Sequence, residues 1–206
     1  MRQKKGTDAI SLGTASELQH HPSAKMRLSP FSLLLVLPVL VGLAQEPKQE
    51  SERLAPYYPT PETIVEKMLQ LGGLKAGEKM FDLGSGDGRI VIMAAQKYHA
   101  DATGIEFDKD LARQSSDRIK RLDLQKTARI INGDILRQDV SSADLITVYL
   151  LPASNEKIRP MLEKQLKKGT RVVAHDFEIP GWHPVDVQQV EDDGEGRSHT
   201  LYLYKR

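Results

Sequence analysis

Residues 81–89 read Phe-Asp-Leu-Gly-Ser-Gly-Asp-Gly-Arg, an apolar strand that ends in an acid and runs straight into a glycine-rich turn. Glycine at 84, 86 and 88 allows positive φ and a close backbone approach to a ligand, with no β-carbon in the way. The run from Arg89 to Ala95 that follows reads as a helix whose N-terminus points at the same spot. A strand, a glycine loop and a helix in that order form a nucleotide cradle, and they place the chain among α/β folds with a mainly parallel sheet.

Spacing narrows the ligand. A dinucleotide fingerprint needs its third glycine where this chain has Arg89, and a phosphate-binding P-loop needs Gly-Lys-Ser/Thr, which does not follow. What remains, Gly-x-Gly-x-Gly after an apolar-Asp-apolar strand, resembles the first motif of class I S-adenosylmethionine-dependent methyltransferases. The resemblance implies that Asp82, Gly84, Ser85 and Gly86 touch the cofactor. Asp82 also has a plainer reading, as a carboxylate that shapes the turn by bonding loop amides.

The chain downstream supplies the rest of a nucleoside site in order. Residues 102–106, Ala-Thr-Gly-Ile-Glu, form a short strand ending in a carboxylate. It stands about 20 residues past the glycines, where doubly wound folds place the acid that binds ribose hydroxyls. Glu106 is thus the expected ribose ligand. After a helix from Lys109 to about Leu122, residues 128–135 read as a third strand ending Gly-Asp-Ile. In the methyltransferase family an acid here meets the adenine amine, which implies that role for Asp134, with Ile135 flanking the ring. Residues 143–152 are a nearly continuous apolar run of the kind buried on both faces of a parallel sheet, and Tyr149 and Pro152 lie at its end. The Asn/Asp-Pro-Pro-Tyr/Phe sequence usual there in amide- and nucleobase-directed enzymes is absent, which argues against those acceptors.

Lys and Arg number 29 against 28 Asp and Glu, so bulk charge gives no reason to expect a nucleic-acid partner. The absence of cysteine excludes disulfides, thiolate metal sites and a cysteine nucleophile. No pair of histidines has metal-ligand spacing on a helix.

The N-terminal quarter is different material. Residues 1–25 are polar and lack an apolar period, which reads as disorder or as sequence upstream of the true start. From 26 to 44 the chain fits a signal peptide or membrane anchor: Lys25 and Arg27 are basic, the segment from Phe31 to Leu43 is apolar, and Gly42 and Ala44 are small. It is short of the roughly 20 residues a spanning helix needs. A cleaved signal, an anchor and an organelle leader stand in that order. Because the cofactor is made in the cytosol, an uncleaved anchor holding the enzyme at the cytosolic face reconciles leader and activity. Residues 45–55 read as a linker, and 56–206 as the methyltransferase domain.

Ahead of the sheet, Pro-Tyr-Tyr-Pro-Thr-Pro at 56–61 precedes a helix with Ile64, Val65, Met68 and Leu69 on one face, ended by Gly72 and Gly73. Thr60 reads as its N-cap and Pro61 as its first residue. This segment together with residues 81–92 looks like the mitochondrial lysine methyltransferases that act on the ATP synthase c-subunit and on the adenine nucleotide translocase, and like their bacterial relatives. The resemblance covers 56–206. It implies that Tyr58 and Thr60 fold over the cofactor and that the N-terminal apolar segment contacts a membrane. Phe107-Asp108 departs from the family's usual Leu/Asn-Pro, and His175-Asp176-Phe177 is more polar than the mitochondrial pattern.

The remainder completes a seven-stranded sheet. A helix over 155–168, a fifth strand ending at His175, and strands over 182–190 and 200–204 around an acidic glycine turn give parallel strands closed by an antiparallel hairpin. A lysine acceptor of pKa about 10.4 costs roughly 4–5 kcal/mol to hold neutral at pH 7, so the site must desolvate it or offer a proton acceptor. Tyr149, His175 and Asp176 at strand ends are the candidates, each with the bland alternative of satisfying a neighbouring backbone group. The leading function is a protein-lysine N-methyltransferase. A small-molecule O- or N-methyltransferase and an exported, non-catalytic binding domain of the same fold are the alternatives.

Overall fold

Successive strand residues face opposite sides of a sheet, and the strands here divide their apolar side chains between two cores in that way. The computed structural model describes residues 54–206. The expected disordered start, the apolar segment at 31–43 and most of the expected linker lie outside the described residues. Among those described, no helix is long and apolar enough to cross a membrane.

The elements are α1 (Glu62–Leu71), β1 (Lys79–Leu83), α2 (Arg89–Tyr98), β2 (Asp101–Glu106), α3 (Lys109–Arg121), β3 (Ala128–Asn132), β4 (Leu145–Val148), α4 (Pro152–Gln165), β5 (Arg171–His175), β6 (Asp186–Val190) and β7 (His199–Lys205). The sheet order is β3-β2-β1-β4-β5-β7-β6. The strands from β3 across to β5 are parallel, while β7 runs antiparallel to both β5 and β6. This is the seven-stranded arrangement with a C-terminal antiparallel hairpin that the sequence suggests. Strand order reverses between β1 and β4, and ligands of doubly wound sheets bind outside the carboxyl ends at such a point.

On one face Met80, Leu145, Val173 and Leu201 meet the buried sides of α1 and α2. On the other, Leu83, Ile146, Val172 and Tyr204 meet Ile158 and Leu162 of α4. Each fully buried aliphatic side chain contributes roughly 1.5–3 kcal/mol. Leu54 and Ala55 pack on this second core, and the Ser154 hydroxyl donates to the Leu54 carbonyl. The end of the expected linker is therefore part of the folded body.

Several boundaries differ from the sequence reading. Pro61, not Thr60, holds the N-cap position of α1: its carbonyl accepts from Ile64 and Val65 at 3.0 and 2.9 Å. Thr60 lies one residue too early to reach those amides. Gly73, at φ +58°, ends the helix together with a bond from Leu74 N–H to Leu69 O. Strand β3 stops at Asn132 because the Asp134 side chain caps a single 3-10 turn at Ile135–Arg137. Strand β4 stops at Val148, and α4 begins early, at Pro152, whose fixed φ suits a first helical turn.

Candidate active site

At the carboxyl ends of β1, β2 and β4 lies a cleft, part of it open to solvent. Its floor is the glycine loop. Gly84 and Ser85 donate to the Ile105 carbonyl at 2.9 and 3.0 Å, and the Gly88 N–H returns to Ser85 O at 2.8 Å. Gly84, Gly86 and Gly88 all have positive φ, at +84°, +52° and +76°. Glu106 ties the loop to β2: its Oε2 accepts from Gly86 N–H at 2.7 Å and its Oε1 from Asp108 N–H at 2.8 Å.

Residues 54–60 form the roof. The Tyr57 ring lies against Gly86 so closely that a β-carbon built there would meet it at 2.7 Å. Arg89, at the place of the missing third glycine, fastens roof to floor: it donates to the Thr60 carbonyl at 2.8 Å and grips Asp87 with Nε and Nη2 at 3.0 and 2.9 Å.

Asp82 is buried in the cleft wall, its Oδ1 accepting from the Thr147 hydroxyl at 2.8 Å. Its plainer sequence reading, a carboxylate bonded to loop amides, names the wrong partner. Burial pushes its carboxyl up to about 7 despite that hydrogen bond, and the charges of Glu106 and Asp87 add to the rise. Beside it the buried Ser85 hydroxyl has no hydrogen-bond partner among the described residues. A buried polar atom without a partner is rare, and this hydroxyl packs on Gly104, where a β-carbon would come within 2.5 Å of it.

Tyr149 closes the far wall. Its ring lies on that of His175, centroids 3.9 Å apart, and stands edge-on to Tyr58 at 6.4 Å. Its hydroxyl donates to Asp176 Oδ2 at 3.3 Å. Burial, then the Asp176 charge, pushes the phenol up to about 12. His175 is fully buried and neutral at pH 7: burial brings it down to about 4, outweighing the opposite pull of Asp176.

Of the residues expected from sequence, Tyr58, Thr60, Asp82, Gly84, Ser85, Gly86, Glu106, Ile135 and Tyr149 line this one cleft. His175 and Asp176 stand behind Tyr149. Asp134, next to Ile135 but not itself in the cleft lining, caps the turn after β3, accepting from Leu136 N–H at 2.9 Å with Arg137 Nε 3.6 Å away. Pro152 begins α4. Tyr57, Arg89 and His199 escape the sequence reading. Tyr57 had a signal, its place within Pro-Tyr-Tyr-Pro, whereas His199 had none.

Against known proteins, the chain matches the model of the ANTKMT methyltransferase domain over residues 82–186, just over half of its length. The chain belongs to this methyltransferase family. A protein-lysine N-methyltransferase of Saccharolobus islandicus (strain REY15A) is 42% identical over 150 residues, which span 72% of this chain and 92% of that protein. The human lysine N-methyltransferase named for the ATP synthase c-subunit is 30% identical over 149 residues, but these cover only 60% of the human protein. A crystal structure described as an RNA methyltransferase from Salinibacter ruber in complex with S-adenosyl-L-homocysteine is 39% identical, with a TM-score of 0.66, over 72% of this chain and 93% of that one. As a member of the family, the chain is an S-adenosylmethionine-dependent methyltransferase. The glycine floor at positive φ fits that cofactor.

Proposed function

We propose that this enzyme methylates the ε-amino group of lysine in a protein substrate. The observation that carries the proposal is Tyr149, which lines the cleft and whose hydroxyl donates a hydrogen bond to the Asp176 carboxylate behind it. The lysine methyltransferases of Saccharolobus islandicus and human support the choice of acceptor.

Bound cofactor supplies an electrophilic methyl group on a sulfonium. In this reading Glu106 takes the ribose hydroxyls, Ile135 packs on the adenine with Asp134 at its edge, and Asp82, Gly84, Ser85 and Gly86 form the bed. Tyr58 and Thr60 belong to the cover. Holding amine and methyl in line removes most of the entropic barrier. The phenol of Tyr149 remains protonated at neutral pH, so it orients the amine through its lone pairs rather than acting alone as a base. Asp176 supplies the negative charge that a cationic lysine approaches. The apolar segment at 31–43 favours a substrate at a membrane surface.

A second reading rests on the Salinibacter ruber relative, described as an RNA methyltransferase. Methyl-labelled cofactor incubated with enzyme and cell extract separates the two. The expected label resists ribonuclease, is lost to protease and is recovered as methyl-lysine. Label that ribonuclease removes, or that extracts into solvent, would overturn the lysine reading in favour of RNA or a small molecule.

A further inference from the structure

His199, the first residue of β7, is buried between two carboxylates. Its Nδ1 lies 3.1 Å from Asp176 Oδ2 and 2.9 Å from His175 Nε2, and its Nε2 lies 3.3 Å from Asp193 Oδ2. Asp193 is itself fixed in the β6–β7 loop, accepting from Glu195 N–H at 2.7 Å and from Arg197 Nε at 2.9 Å. Asp176 has φ +58°, and the Phe177 N–H donates across it to the His175 carbonyl at 2.7 Å. Such a conformation in a non-glycine residue persists only where the surroundings over-determine it, and it concentrates at functional sites. Here the surroundings are the Thr200 N–H, which donates to Asp176 Oδ1 at 3.0 Å, together with His199 and Tyr149.

We propose that His199 is a positioning residue for methyl transfer: bridging Asp176 and Asp193, it holds the Asp176 carboxylate against the Tyr149 hydroxyl, where the incoming amine must lose a proton. This rests on the lysine reading above for the identity of the amine. A proton of the ε-ammonium passes to the Tyr149 oxygen as the phenol passes its own to Asp176. The amine gains its lone pair and the carboxylate loses its charge, so atoms and charge balance without another reagent. His199 touches neither amine nor cofactor; it acts through Asp176.

The test uses the full chain and compares His199→Asn, Asp176→Asn and the double variant, assayed on whatever species the wild type labels. The expected result is a ten- to hundredfold fall in kcat for each single variant. The shift in melting temperature given by S-adenosylhomocysteine should stay at its wild-type size. The double variant should be no slower than Asp176→Asn, because residues acting as one unit are not additive. An unchanged kcat overturns the proposal, as does a loss that adds to that of Asp176→Asn alongside a reduced cofactor shift, the pattern of a merely structural histidine. Equimolar divalent metal in the purified protein, with activity lost on chelation, would also overturn it by making His199 a ligand. If His199→Asn does not fold, Asp193→Asn cuts the far side of the bridge and is scored in the same way. A wild type that labels only RNA or a small molecule defeats the lysine reading, while the comparison on that product still decides the role of His199.

Discussion

The Tyr57 ring rests on Gly86, leaving 2.7 Å between itself and any β-carbon placed on that glycine. Roof and floor of the cofactor cleft thus touch at a residue that tolerates no side chain, and φ at Gly86 is +52° as well. Gly86→Ala is therefore expected to push the roof away and to weaken S-adenosylhomocysteine binding at least tenfold, about 1.4 kcal/mol. Calorimetric titration checks it, and wild-type affinity in the variant would remove Tyr57 from the site.

Tyr149→Phe keeps the ring on His175 and removes only the hydroxyl bonded to Asp176. The expected outcome is a kcat lower by roughly 10²-fold, the scale of a lost proton-transfer group, with cofactor affinity unchanged. Steady-state kinetics beside equilibrium binding separates the two quantities. A rise in KM for the cofactor alone would assign Tyr149 to binding instead.

Thr147→Val replaces the hydroxyl that donates to the buried Asp82 with a methyl group of similar shape. A buried acceptor left without its donor costs about 1–3 kcal/mol, and in a domain of this size each kcal/mol moves Tm by roughly 2–4 °C. A Tm within a degree of wild type, measured by calorimetry without cofactor, would contradict this.

Asp82 also makes stability depend on pH. Its folded carboxyl sits at about 7 against an ordinary 3.8, so the folded state binds the extra proton between those values. The stabilisation it gives is complete below about 3.8 and disappears as pH rises through 7. Asp82→Asn mimics the neutral acid and carries no such penalty. Its Tm without cofactor should therefore gain on the wild type steadily from pH 4 to 8, and a constant difference across that range would refute the assignment.

Much of this is legible locally. The glycine loop, the Glu106 strand end and the apolar face of α1 announce themselves within a few residues, since positive φ and side-chain period are local demands. Sheet order and the roof come with the family resemblance. Thr60 shows where local reasoning stops: its hydroxyl, a good cap by sequence, instead stands 3.5 Å from His175 Nδ1, 115 positions away. Arg89 is visible only as an absent glycine, because nothing nearby in sequence announces its bond to the Thr60 carbonyl. His199 reaches Asp176 through the antiparallel register of β5 and β7, in which His175 faces Leu201. A single chain read in order carries no signal of that pairing.

The roof is fastened to the far end of the polypeptide. Arg197 donates to the Tyr58 hydroxyl at 2.6 Å across 139 positions, and the Thr63 hydroxyl donates to the Asp193 carbonyl at 2.6 Å. A ribosome releases the glycine loop and Glu106 long before it makes those partners. The emerging chain can shape the bed of its cofactor early, and Arg89 and Gly86 can meet the near side of the cover, but the Tyr58 side has no partner in Arg197 until the last hairpin appears. The last of the cover's fastenings is thus acquired at the end of synthesis, and a product cut short before Asp193 would lack it.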